Sequence, residues 1–238
     1  ELLGGRLPVL AKSDQMHWGP FEYAVALRGM SNLLFDFVDD PGFVHELMTK
    51  ITTGLIEFHR EREALGRVDA RASFIGHIPY DCIPEDKIKK LAGCWVKIHA
   101  QSSGSISPDM YAEFIHPYHC QLAELVGAVY YHGCEDLSHK YGIIQTLPNL
   151  KLFHISPWSP EQAIFDKIGG RHAFEIHSHP TELMEGSHEA AIRDKLKTRH
   201  ELFRNLPHTL ALADIERVNG RLDRLQQWIA TAQEIADS

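Results

Sequence analysis

The chain has 238 residues, 44% of them hydrophobic and 24% charged, with a formal net charge of −8. That is the composition of a globular domain long enough to bury its own core, and it excludes a disordered, coiled-coil or collagen-like chain. The acidic balance offers no basic stripe for nucleic acid, and the longest apolar run near the middle, Leu125 to Tyr131, is far short of a membrane span.

Short apolar runs alternate with longer amphipathic ones along the chain. Leu7 to Ala11 predicts a first strand. Asp40-Pro41 predicts an N-cap followed by proline at the first helical position. Phe43, Val44, Leu47, Met48, Ile51 and Leu55 then recur at helical spacing, and Gly66 ends that helix. Residues 67–93 hold Pro79 and Pro84 and read as an inserted excursion within a single domain, 1–238. Trp95 to Gln101 predicts the second strand. Ser107-Pro108 opens a helix with Met110, Tyr111, Phe114, Ile115, Tyr118 and Leu122 on one face. Gly127 to His132 and Leu152 to Ser156 predict strands three and four. Ser159 to Gln162 has the form of a capping box at the next helix start. Gly169-Gly170 predicts a turn with positive φ before a fifth strand, His172 to His177. A polar helix over about Ser187 to Asn205, a sixth strand at Thr209 to Ala213, and a last helix with Leu222, Leu225, Ile229 and Ala232 facing inward complete the pattern. Strand followed by helix, repeated, predicts a parallel α/β sheet.

In such sheets chemistry gathers where strands end. The residues after the six runs are Lys12, Asp14 and His17; Gln101, Ser102 and Ser103; His132, Gly133 and Cys134; Ser156 and Trp158; His177 and His179; Asp214 and Glu216. His132-x-Cys134 places imidazole and thiol on one side of a strand end, and both are zinc ligands by type. His177-x-His179 repeats the geometry. The plain alternatives are a buried cysteine beside a hydrogen-bonded histidine, and a solvated or substrate-facing loop. The strand register predicts that Gln101, His132, Cys134, His177 and Asp214 share one pocket, with His179 beside His177 and with Tyr131 and Gly133 turned away. The four cysteines (Cys82, Cys94, Cys120, Cys134) form no CxxC pair and read as reduced thiols. With no signal pattern after Glu1, a cytoplasmic chain whose start is missing or processed is expected.

Several segments in order resemble the uroporphyrinogen decarboxylase superfamily. They are Gly19-Pro20-Phe21-Glu22 leading to Arg28-Gly29, Asp39-Asp40-Pro41, the run from Gln101 to Tyr111, Glu113-Phe114, Pro117-Tyr118, Tyr131-His132-Gly133-Cys134-Glu135, Leu147-Pro148-Asn149-Leu150 and Ser156-Pro157-Trp158. The resemblance implies a TIM-type (β/α)₈ barrel. The six strands would be its third to eighth, so the first two βα units would be absent, and either a partner, such as a second copy, covers the opening or the chain is a fragment. Two enzymatic branches follow. In the corrinoid-dependent methyltransferases a His-x-Cys pair and a later cysteine hold zinc. His132 and Cys134 match the first two ligands, and no cysteine follows Cys134, leaving His177, His179 or Asp214 as a third. A methyl-corrinoid on a partner protein would be the donor. Gln101 and Asp214 would act in catalysis, with Ser102, His177, His179, Trp158 and Lys12 at the small-molecule substrate. The other branch, the porphyrinogen decarboxylases, needs no cofactor, but its histidine after the last strand is replaced here by Ala211-Leu212-Ala213-Asp214. A third reading is a non-catalytic barrel that binds a partner.

Overall fold

A computed structural model describes residues 16–17, 19–71, 83–169, 172–184, 189–218 and 220–237. The strands are β1 (Met16–His17), β2 (Trp95–Ile98), β3 (Ala128–Tyr131), β4 (Leu150–Ile155), β5 (Ala173–Ser178) and β6 (His208–Leu212). They form one sheet in chain order, and each neighbouring pair is parallel. The helices are α1 (Pro20–Arg28), α2 (Met30–Asp39), α3 (Pro41–Ala64), α4 (Pro108–Phe114), α5 (His116–Ala123), α6 (Tyr141–Ile144), α7 (Glu161–Phe165), α8 (Thr181–Met184), α9 (Glu189–Phe203) and α10 (Leu222–Ala236). Parallel neighbours need a long return, and helices provide it between successive strands from β2 on. Among the described residues no helix is long and apolar enough to cross a membrane.

Alternation along the strands divides the sheet into two unlike faces. Val96, Ile98, Val129, Tyr131, Phe153, Ile155, Phe174 and Ile176 join the large core under the helices. The other parity carries Trp95, Ala128, Tyr130 and Leu152 with Ala173, a small separate apolar cluster at the strand starts. Further along the same face the residues turn polar. The pairing of β3 with β4 contains an irregularity. Val129 pairs with Leu150, but Tyr130 pairs with Leu152, so Lys151 is left over as an exposed bulge residue. Leu150 therefore packs under the helices while Leu152, two residues on, packs on the opposite face.

Several local expectations hold with their mechanism visible. The Asp40 carboxylate accepts the Phe43 amide at 3.0 Å and caps α3. Gly66 adopts φ 67 just past its end. Ser107 caps α4 through the Met110 amide at 3.2 Å. At Gly127, before β3, a Cβ would lie 2.1 Å from the Ala92 carbonyl oxygen, so only glycine lets the backbone approach there.

Other expectations are corrected. The single helix after Ser107 is two helices, broken at Ile115, because Pro117 has no N–H to continue the ladder. Ser159 does not cap α7, whose N-cap residue is Pro160. The Ser159 hydroxyl instead accepts the Leu137 amide and donates to the Glu135 carbonyl. Gly169 does not adopt positive φ. On α10, Leu225 and Ala232 pack inward as expected, but Leu222 and Ile229 are exposed, and Trp228, Thr231 and Ile235 are the buried residues. The expected strand at Leu7 to Ala11, Gly170, and residues 72–82 of the excursion lie outside the described residues. The described parts of the excursion carry two short 3₁₀ turns, Glu85–Lys87 and Leu91–Gly93.

Candidate functional site

The face of the sheet away from the large core, its inner face, has a polar half built from three neighbouring strands. In register, Tyr130 stands beside Leu152, and His154 beside Glu175. One step past Tyr131, His132 comes beside His154, and the two rings stack in parallel, 4.2 Å between centroids and 6° between planes. His177 follows Glu175 by two residues and shares its face. Its ring meets His154 edge-on at 4.2 Å. Its Nε2 hydrogen-bonds Glu175 Oε1, which also accepts the Tyr130 hydroxyl at 3.0 Å.

A cavity of about 460 Å³ opens over this cluster. It is lined by His132, Glu175, His177, Thr209 and Ala211 to Asp214. Asp214 takes a left-handed φ of 57, uncommon for a residue with a side chain, just past β6.

The His154 ring is fully buried. Its Nδ1 lies 2.7 Å from the Gly133 carbonyl oxygen. A carbonyl only accepts, so Nδ1 carries the proton and Nε2 presents a lone pair. That Nε2 is buried and has no hydrogen-bond partner. Burial lowers the His154 pKa to about 3, with the His177 ring adding to the effect. Burial also holds His132 far below its ordinary value, helped by His154 and by Lys97. Both rings are therefore neutral at pH 7. Lys97, half-buried on β2, has its own pKa lowered by burial, partly offset by Cys134 and Glu175. The Cys134 thiol is raised by burial first, then by Asp214 and Glu135.

Among the described residues, one set of three metal-ligating side chains converges: His154, Glu175 and His177, with ligand atoms within 4.8 Å of one another. No such set includes His132 or Cys134. Among the described residues, a zinc ion at His132 and Cys134 would thus have the right donor types but only two of the donors it needs, and the pair by itself does not fit a closed or catalytic zinc site.

The expected site residues separate into distinct places. His132, His177 and Asp214 line the one cavity, and Tyr131 packs away under the helices, as the register predicts. Cys134 is not a lining residue, although Asp214 and Lys97 both act on it electrostatically. Gln101 is exposed at the start of a short 3₁₀ turn and does not line the cavity. Ser102 is engaged by Glu22 of α1, which accepts its amide at 2.9 Å and its hydroxyl at 2.8 Å. His179 does not join His177. Its Nδ1 accepts from the Thr181 amide and hydroxyl, and its ring meets the exposed Trp158 edge-on at 4.5 Å. Lys12 and Asp14 lie outside the described residues, as does the side chain of His17.

Residue-by-residue reading of the strand ends passed over His154, Glu175, Tyr130 and Lys97, because they lie inside the runs. The signal was their parity: Glu175-x-His177 and Tyr130-x-His132 are each two apart on one strand face. Glu135 was passed over too. Burial pushes its pKa up to about 7, while Lys140 and the backbone amides of Glu135 and Cys134 pull it partly back.

No family model matches the chain, and no curated protein is significantly similar to it.

Proposed function

We propose that this chain is an enzyme of the uroporphyrinogen-decarboxylase-like barrel class, and that it transfers a methyl group from a methyl-corrinoid on a partner protein to a small-molecule thiol. The observation that carries this reading is the cluster of neutral, buried imidazoles opening into one cavity at the strand ends. The sequential all-parallel order agrees with part of a (β/α)₈ barrel. The ordered motifs from Gly19 to Trp158 supply the class.

The corrinoid, when bound, supplies an electrophilic methyl group. The chain's task is to hold the acceptor as thiolate and in line. The thiol gives its proton to solvent as it enters, and His132, neutral and at the cavity wall, positions the acceptor as a hydrogen-bonding ring without becoming charged. Lys97 stabilises the resulting anion from the neighbouring strand. Asp214, which also lines the cavity, orients the acceptor by hydrogen bonding. Holding both reactants at one cavity makes the step effectively unimolecular.

Decarboxylation is the weaker reading because a porphyrinogen brings several carboxylates. Among the described residues Lys97 is the one lysine or arginine that acts on His132, His154 and Cys134.

The test is incubation of the purified full chain with methylcobalamin and a small thiol, following the corrinoid spectrum and the thioether by mass spectrometry. Turnover that falls about 100-fold in His132→Ala is expected. No turnover, together with conversion of uroporphyrinogen to coproporphyrinogen, would replace this reading with the decarboxylase.

A further inference from the structure

We propose that His154, Glu175 and His177 form a binding site for one divalent transition-metal ion, zinc by preference, on the inner face of the sheet. The site stands on its own geometry and does not depend on the methyl-transfer reading. It lies one strand beyond the His132–Cys134 pair that the sequence singles out.

Three observations carry it. The first is convergence: two imidazoles and a carboxylate from adjacent strands bring their ligand atoms within 4.8 Å. The second is the state of His154. Its Nδ1 proton is committed to the Gly133 carbonyl, which leaves Nε2 as a lone pair that is buried and unpartnered. A buried acceptor with no donor is destabilising, and it needs a partner that accepts electron density. An imidazole whose other nitrogen donates to a backbone carbonyl is also how metal-binding histidines are oriented. The third is support around the donors. Tyr130 donates to Glu175 and fixes the carboxylate, and the parallel His132 ring fixes the plane of His154.

The hydrogen bond between His177 Nε2 and Glu175 Oε1 is the competing explanation of the cluster. It accounts for those two residues but leaves His154 Nε2 orphaned, whereas an ion satisfies all three. Ligands about 2.0–2.1 Å from a tetrahedral zinc stand roughly 3.3 Å apart. The His177–Glu175 pair would open and His154 would close in, both by side-chain rotation.

Donor chemistry sets the ion class. Two imidazoles with one carboxylate suit zinc, cobalt or nickel, not magnesium or calcium, which seek oxygen. Glu175 and His177 both line the cavity, so the ion has an open side toward it. Three protein donors with an open position is the catalytic arrangement, which binds water or substrate, in contrast to a closed structural one. Leu152, Trp95 and Ala173 close the other side with apolar surface.

The experiment is titration of the chelator-stripped full chain with zinc against a chromophoric competitor, with cobalt as a spectroscopic probe. One equivalent should bind. His154→Ala, Glu175→Gln and His177→Ala should each weaken binding by about 100-fold or more, and Tyr130→Phe by about 10-fold. His132→Ala, which removes the ring stacked on His154, should weaken binding by about 10-fold, and Cys134→Ser, outside the ligand set, should retain affinity within about threefold. Far-UV circular dichroism of each variant identifies any that fail to fold, and Glu175→Gln, nearly isosteric, keeps the test alive if the alanine variants fail. Absence of stoichiometric binding overturns the site. So does a thiolate-to-cobalt charge-transfer band that disappears in Cys134→Ser. Metal binding without methyl transfer would remove the proposed reaction and leave the site standing.

Discussion

His132 and His154 lie face to face at 4.2 Å, although 22 positions separate them in the chain. Protonating either ring would place a charge in a desolvated stack beside Lys97 and His177. The same exclusion of the charged form applies to His119, lowered to about 3 by burial, and His172, lowered to about 4. These folded-state pKa values lie below the unfolded value of 6.5. Above pH 6.5 both states are neutral and nothing is lost. Below it the unfolded chain takes up protons that the folded chain does not. Between about pH 6 and 4.5 the metal-free protein should lose up to about 1.4 kcal/mol per pH unit for each such histidine, or roughly 7 kcal/mol over that range for the four. Urea unfolding across that range measures the slope, and a flat profile would mean that the rings are solvated.

Glu135 should act in the opposite direction. Its folded pKa of about 7 lies above the ordinary carboxyl value of 4.5, so the ionised form is penalised in the folded state. The penalty is absent below about pH 4.5, grows from there, and is complete above pH 7, where it amounts to about 3 kcal/mol. Glu135→Gln should therefore melt higher than the parent at pH 8 and match it near pH 4.5. Equal melting temperatures at pH 8 would show that the carboxylate is well solvated or firmly paired.

The Tyr130 hydroxyl is buried against Glu175. Removing it in Tyr130→Phe leaves a buried carboxylate with one donor fewer, at a cost of about 1–3 kcal/mol. Chemical denaturation at pH 7 reads this directly, and an unchanged midpoint would mean that another donor moves in.

On α10, Ile235 packs with Ile192, Leu196 and Trp228. Ile235→Ala should cost about 2–4 kcal/mol. Ile229→Ala, on the exposed face of the same helix, should cost less than about 0.5 kcal/mol. Similar losses in the two variants would overturn the assignment of faces.

Cys134 has its thiol pKa raised by burial and by Asp214. At pH 7 it should alkylate more slowly than a free thiol, and Asp214→Asn should speed it several-fold by removing the nearby charge. Peptide mapping after timed iodoacetamide treatment gives the rates, and no change in Asp214→Asn would exclude the coupling.

Five of the predicted strands were legible because apolar runs bounded by turn residues have few other solutions, and each lies within two or three residues of the observed element. The caps at Asp40 and Ser107 were legible because their hydroxyl or carboxylate bonds an amide three residues away. The cap expected at Ser159 failed for a non-local reason: residues from the β3–α6 loop claim its hydroxyl. His179 likewise turned to Trp158 and Thr181 rather than to His177.

The sequence alone determined the parallel α/β alternation and the parity that turns His132 and His177 toward one face, because both are properties of local periodicity. It could not determine which residues stand opposite them. The bulge at Lys151 shifts β4 by one residue against β3, and this brings His154 onto the inner face beside His132. Counted from Leu150 by strict alternation, His154 would belong under the helices. Strand pairing is a contact between distant segments, so only the tertiary structure decided that His154, Glu175 and His177 meet.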